Sequence, residues 1–118
     1  MSVGNVKEVR RLALALPETT EEPHFHLTSF RVKGKIFATM PQDGSFMNVF
    51  VDDTQREMMI AVDPKAYDNV IWGKKIAGLR VDVAKAKGKD VGALLRMAWE
   101  RKAPKRLLRA AAVPSDGQ

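Results

Sequence analysis

Cysteine is absent from all 118 residues. That excludes disulfides, thiol nucleophiles and every zinc site built on thiolates, and leaves packing as the source of stability. Long apolar runs are missing too: nothing approaches the roughly 20 consecutive residues of a membrane-spanning helix, and Asn5, Lys7 and Glu8 interrupt the start where a secretory leader would be apolar. A cytoplasmic protein is the expectation. Aromatic residues make up 7% and histidine occurs twice, so few side chains are suited to general acid–base work near neutral pH. Serines 29 and 45 have no base-and-orienter pattern around them, and neither Gly34-Lys35 nor Gly73-Lys74 lies in the longer glycine-rich frame of a phosphate loop. No enzyme is expected, and no cofactor.

Acidic residues are scarce in one half of the chain. Residues 1–59 hold 7 Lys/Arg against 8 Asp/Glu, whereas residues 60–118 hold 13 against 6, so the whole net charge of +6 comes from the second half. Such an imbalance has two readings: an anionic partner, nucleic acid first, or helix faces solvated by Lys and Arg. The length suits one domain with a single core, expected over residues 1–109, with 110–118 as a tail.

The pattern that is present begins with Val6, Val9, Leu12, Ala13 and Leu16 at helical spacing behind an Asn5–Glu8 capping box, which predicts a helix from about Asn5 to Leu16. Pro17 ends it, and Glu18–Pro23 is expected to be an acidic loop. Thr28, Phe30 and Val32 alternate ahead of Lys33-Gly34, and Ile36, Ala38 and Met40 alternate behind it. This predicts a β-hairpin with a two-residue turn and those six side chains on one face. Pro41–Ser45 is a turn, and Phe46–Val51 a third strand. Thr54 and Glu57 have capping spacing for a helix over Gln55–Ala61. A short strand is expected at Val70–Trp72, a basic loop at Gly73-Lys74-Lys75, and a strand over Leu79–Val83. Lys85–Lys89 is expected to be a linker, with Asp90 capping a helix whose Val91, Leu94, Leu95, Ala98 and Trp99 form an unbroken stripe. Pro104 opens another helix through Leu107 and Leu108. The fold class is α+β: an antiparallel sheet meander covered on one face by N- and C-terminal helices.

Leu16-Pro17-Glu18-Thr19-Thr20-Glu21-Glu22-Pro23-His24-Phe25, followed by Ser29–Thr39, then Trp72-Gly73-Lys74-Lys75 and finally Ala98-Trp99 running into Ala103–Leu107, resembles the MmcQ/YjbR family in content and order. The resemblance implies a frataxin-like (CyaY-like) fold and DNA binding through projecting loops, here the Lys33-Gly34-Lys35 turn and the Trp72-Gly73-Lys74-Lys75 loop. His26-Leu27-Thr28 stands where many relatives read Gly-Arg-Pro, and Leu79 where an aromatic is common. The residues expected to meet nucleic acid are Lys33, Lys35, Lys74, Lys75, Arg80, Lys105 and Arg106 at phosphates, with Trp72 either a stacking platform for bases or a packing residue. The alternative is a protein-interaction or small-ligand module with a groove near His24, Phe30 and Trp72. Metal is not expected: His24 and His26 have the spacing that shares one face of a strand, but no third ligand accompanies them, and Glu8 is the lone carboxylate of the first helix.

Overall fold

A computed structural model gives the fold, and it describes residues 6–112. The chain runs α1 (Val6–Leu14), β1 (Thr19–His24), β2 (Leu27–Val32), β3 (Lys35–Pro41), β4 (Phe46–Val49), α2 (Asp53–Val62), β5 (Tyr67–Trp72), β6 (Lys75–Asp82), α3 (Gly88–Lys102) and α4 (Lys105–Ala112). The six strands form one antiparallel sheet in the order β1-β2-β3-β4-β6-β5. The α+β class holds, with helices at both ends of the chain.

Residues paired across neighbouring strands share a face of the sheet. Phe30, Ala38, Val49 and Leu79 lie in one such row, Met47 and Val81 in the next. All are buried in a core with Val9 and Ala13 of α1 and with Val91, Leu94, Leu95, Ala98 and Trp99 of α3. This is the helix-covered face. α3 crosses β3, α1 lies on α3, and α2 packs on β5.

Several expectations need correction. The acidic Glu18–Pro23 loop is largely strand β1, an edge strand in register with β2 from Thr19↔Val32 to His24↔Leu27. Ile36 does not join the core row. The β2–β3 register shifts at Phe30/Arg31 so that Ile36 faces Arg31 on the other side, and Phe37, the extra residue of the bulge, is buried instead. α1 ends at Leu14 rather than Leu16, and Asn5 lies outside the described residues. β4 stops at Val49, β5 begins at Tyr67 and β6 begins at Lys75. α2 is capped by Asp52 and not by Thr54: the Asp52 carboxylate accepts from the Gln55 N–H at 2.8 Å. The expected linker ends inside α3: Ala86 is buried, Lys87 holds the cap position without a side-chain bond, and Asp90 is in the first turn. α4 continues to Ala112; residues 113–118 lie outside the described residues.

Strand direction follows from this order. β4 and β5 run parallel with β6 inserted between them, and α2 carries the chain back from the end of β4 to the start of β5. The β2–β3 and β5–β6 hairpin turns therefore fall at the same end of the sheet. The β1–β2 turn and the β3–β4 loop fall at the other.

Candidate nucleic-acid interface

Both turns at that shared end contain two residues, and their backbones explain their composition. Lys33 and Gly34 have φ of 50° and 79°, the positive values of a type I′ turn, while at Gly73-Lys74 only the glycine is positive, at 64°. With neighbouring strands about 4.8 Å apart, the two turns are separated by three strand spacings, about 14 Å along the sheet end. Lys33 lies in one with Lys35 directly after it, and Lys74 lies in the other with Lys75 directly after it. Among the described residues Lys35, Lys74 and Lys75 are exposed and make no ion pair.

α4 adds to the same end. Its first turn carries Lys105 and Arg106 and no acid, a placement that leaves the positive end of the helix dipole uncompensated by its own residues. Compensation comes from Glu18. Its carboxylate lies 2.6 Å from the Lys33 Nζ and 3.3 Å from Arg106, and these two hydrogen bonds hold its pKa below the ordinary value. Glu18 does so from a left-handed backbone conformation, φ 54°. Lys33 and Arg106 are thus joined through one carboxylate.

Trp72 sits at the base of the second turn, about half exposed. Its ring meets Phe50 edge-on at 5.5 Å between centroids. Phe50 is held by its own backbone, whose N–H donates to Phe37 O at 3.1 Å and whose carbonyl accepts from Arg101 at 2.7 Å. Gly78 of β6 has no side chain where the Phe50 ring lies; a Cβ there would be 2.7 Å from Phe50 Cδ1.

Arg80 stands apart from this group. Its guanidinium lies over the Phe46 ring, 3.8 Å from the centroid, toward the opposite end of the sheet. There it borders a cavity of about 370 Å³ with Tyr67, Lys65, Asp68 and Asp82. Burial first, and then the charges of Asp90 and Asp63, push the Tyr67 phenol up to about 12. The groove proposed around His24, Phe30 and Trp72 does not exist. Phe30 is in the core, and His24 and Trp72 end strands at opposite ends of the sheet. His26 belongs to the β1–β2 turn rather than to a strand face shared with His24. Among the described residues no group of three or more His, Asp and Glu could hold a metal ion.

The sheet face opposite the helices carries a feature that alternation alone does not reveal. Glu22, Ser29, Thr39, Asn48, Arg80 and Asp68 form a polar row across all six strands. Ser29, Thr39 and Asn48 are buried within it. Asn48 donates to Thr39 Oγ1 at 3.2 Å, and Ser29 accepts from Arg31 while donating to Glu22 O.

At the edge of the sheet, Arg10 of α1 grips Glu21 with two hydrogen bonds of 2.6 and 2.9 Å, and Thr28 donates a third. The Arg10 bond is the main cause that lowers the Glu21 pKa. A carboxylate lowered on folding stabilises the fold fully above its unfolded pKa, near 4.5, and loses that contribution as pH falls through the folded value. Thermal melts should therefore drop as pH falls below about 4.5. Glu21→Gln should lower stability by about 1 kcal/mol at pH 7 and flatten that acid limb; an unchanged acid limb would show that Arg10–Glu21 is not its source.

The YjbR family model matches residues 14–101. The Deinococcus radiodurans protein DR2400, whose crystal structure is described as a DUF419 domain, is similar in structure, with a TM-score of 0.75 at 18% identity, covering 98% of this chain and 93% of its own. At that identity the likeness concerns the fold. No curated protein matches the chain.

Proposed function

Since the chain belongs to the YjbR family, we propose that it binds DNA without catalysis, through phosphate contacts from two basic hairpin turns. The observation that carries this reading is the coincidence of the Lys33-Gly34-Lys35 and Gly73-Lys74-Lys75 turns at one end of the sheet. Their separation of about 14 Å is close to the width of a B-DNA major groove, about 12 Å, so both can reach phosphates of one duplex. Lys105 and Arg106 extend the positive end. Trp72, between Phe50 and the lysines, is positioned to lie against sugars or an exposed base. Contacts of this kind depend on charge more than on base sequence, so sequence preference is slight.

The test is an anisotropy titration of a labelled duplex at several salt concentrations. Binding weakens as salt rises, with a log–log slope of about −0.9 per phosphate contacted. Lys35→Glu with Lys75→Glu, one from each hairpin, reduces the slope by about 2 and affinity at low salt by at least about tenfold. Glu18→Gln acts in the opposite direction, because it releases Lys33 and Arg106 from their carboxylate. No binding at low salt, or binding indifferent to the paired lysine reversal, overturns the proposal.

A further inference from the structure

The two edges of the sheet are built differently. β1 has Pro23, which offers no N–H, and the charged Glu21 and Glu22, the devices by which edge strands avoid pairing with other chains. β5, Tyr-Asp-Asn-Val-Ile-Trp, has no proline and no lysine. Its hairpin also outreaches its neighbour. β4 pairs with β6 only over Leu79–Asp82, so Val70–Trp72 and Lys75–Gly78 pair with each other alone. Ile71, Trp72 and Ile76 are 63%, 54% and 51% exposed there, together on the projecting hairpin; Met58 and Val62 are exposed on α2, with Val62 toward the start of β5. Among the described residues the other exposed large apolar side chains are Leu14 and Phe25, elsewhere on the molecule. A clustered apolar surface on an open edge marks an interaction site.

We infer that the β5 edge is where a second copy of this chain pairs, antiparallel across a two-fold axis through Ile71. The register follows from the hairpin. Trp72 and Lys75 flank the two-residue turn as a hydrogen-bonded pair, so Trp72, Val70 and Asp68 direct their backbone groups to β6 while Ile71 and Asn69 direct theirs outward. An isologous pairing must therefore centre on an outward residue or midway between two of them. Centring on Ile71 sets Ile71 against Ile71 once and Trp72 against Val70 twice, and brings Lys74, in the turn just beyond β5, toward the other copy's Asp68, also twice by symmetry. Centring on Asn69 instead sets Asp68 against Val70, and centring midway between the two sets it against Trp72; both leave the charges unmatched. The Asp68 carboxylate accepts from the Asn69 N–H at 2.7 Å, its cross-strand neighbour Arg80 lies over Phe46, and neither Asp68 nor Lys74 forms an ion pair among the described residues, so the charge of each is open to a partner. The result is a continuous sheet through both copies, with each Trp72 beside the other copy's Val70 across the seam.

Sedimentation velocity across the micromolar range tests this without nucleic acid. The 13.1 kDa chain sediments as a concentration-dependent dimer, and Ile71→Lys, at an exposed position, returns it to monomer with its circular dichroism unchanged. Asp68→Lys and Lys74→Asp each weaken the dimer about tenfold, as two ion pairs become two repulsions, and the double variant recovers wild-type affinity. A wild-type monomer at all concentrations, a dimer indifferent to Ile71→Lys, or a double variant no tighter than either single one overturns the inference.

Discussion

Trp99→Ala is expected to cost about 3–5 kcal/mol, a large fraction of the roughly 5–15 kcal/mol that holds a domain of this size together. Trp99 is fully buried on the α3 stripe, and its indole N–H donates to Pro17 O at 3.0 Å, 82 residues earlier in the chain. It therefore fills the core between helices and sheet and also fixes where the chain leaves α1 to enter β1. Removing the ring leaves a cavity that α1, α3 and the sheet cannot jointly close, because each is fixed by other contacts. Trp99→Phe keeps most of the packing and loses the hydrogen bond to an exposed residue, so about 1 kcal/mol is expected. Urea unfolding followed by far-ultraviolet circular dichroism separates the two effects. Equal losses from both variants would show that the bond to Pro17 outweighs the packing.

Gly78→Ala is expected to cost about 2–3 kcal/mol, in contrast to Gly92→Ala, which should be neutral or stabilising by up to about 1 kcal/mol. A Cβ at Gly78 would meet Phe50 Cδ1 at 2.7 Å and the Val49 carbonyl at 2.9 Å; one at Gly92 has its nearest contact at 3.6 Å, to Leu12. The Val49 carbonyl is sheet backbone, and Phe50 is tied by its bonds to Phe37 and Arg101, so neither neighbour can move away at little cost. What yields is the ring, and with it the edge contact to Trp72. Exposure of Trp72 should rise, seen as a red shift in the emission of a Gly78→Ala, Trp99→Phe background relative to Trp99→Phe alone. A stability equal to wild type would show that Phe50 has a second rotamer that fits.

How much of this was legible in the sequence varies element by element. The stripe from Val91 to Trp99 and the Lys33-Gly34 turn are local patterns, and local chemistry determined both. β1 was not legible, because Thr-Thr-Glu-Glu-Pro-His has no apolar alternation. It is an edge strand held by backbone pairing to β2 and by Glu21 gripping Arg10. The bulge at Phe37 hides for a different reason: alternation through Ile36, Ala38 and Met40 continues undisturbed on paper while the pairing slips by one residue. The basic turns were visible as residues and invisible as a pair. Had β5 followed β4 as its direct antiparallel neighbour, the Gly73-Lys74 turn would lie at the far end from Lys33-Gly34. Only the insertion of β6 between them brings the two together, and that depends on contacts between segments some 30 residues apart.

The same insertion sets an order of events in time. β1 to β4 close through turns of a few residues, and so does the β5–β6 hairpin, so each unit can form from local contacts alone. The seam between them, from Phe46↔Asp82 to Val49↔Leu79, must wait until α2 and the intervening chain have been looped into place. Folding of this domain is thus expected to join two early pieces late, with Met47 and Val81, which face each other across that seam, among the last residues to meet.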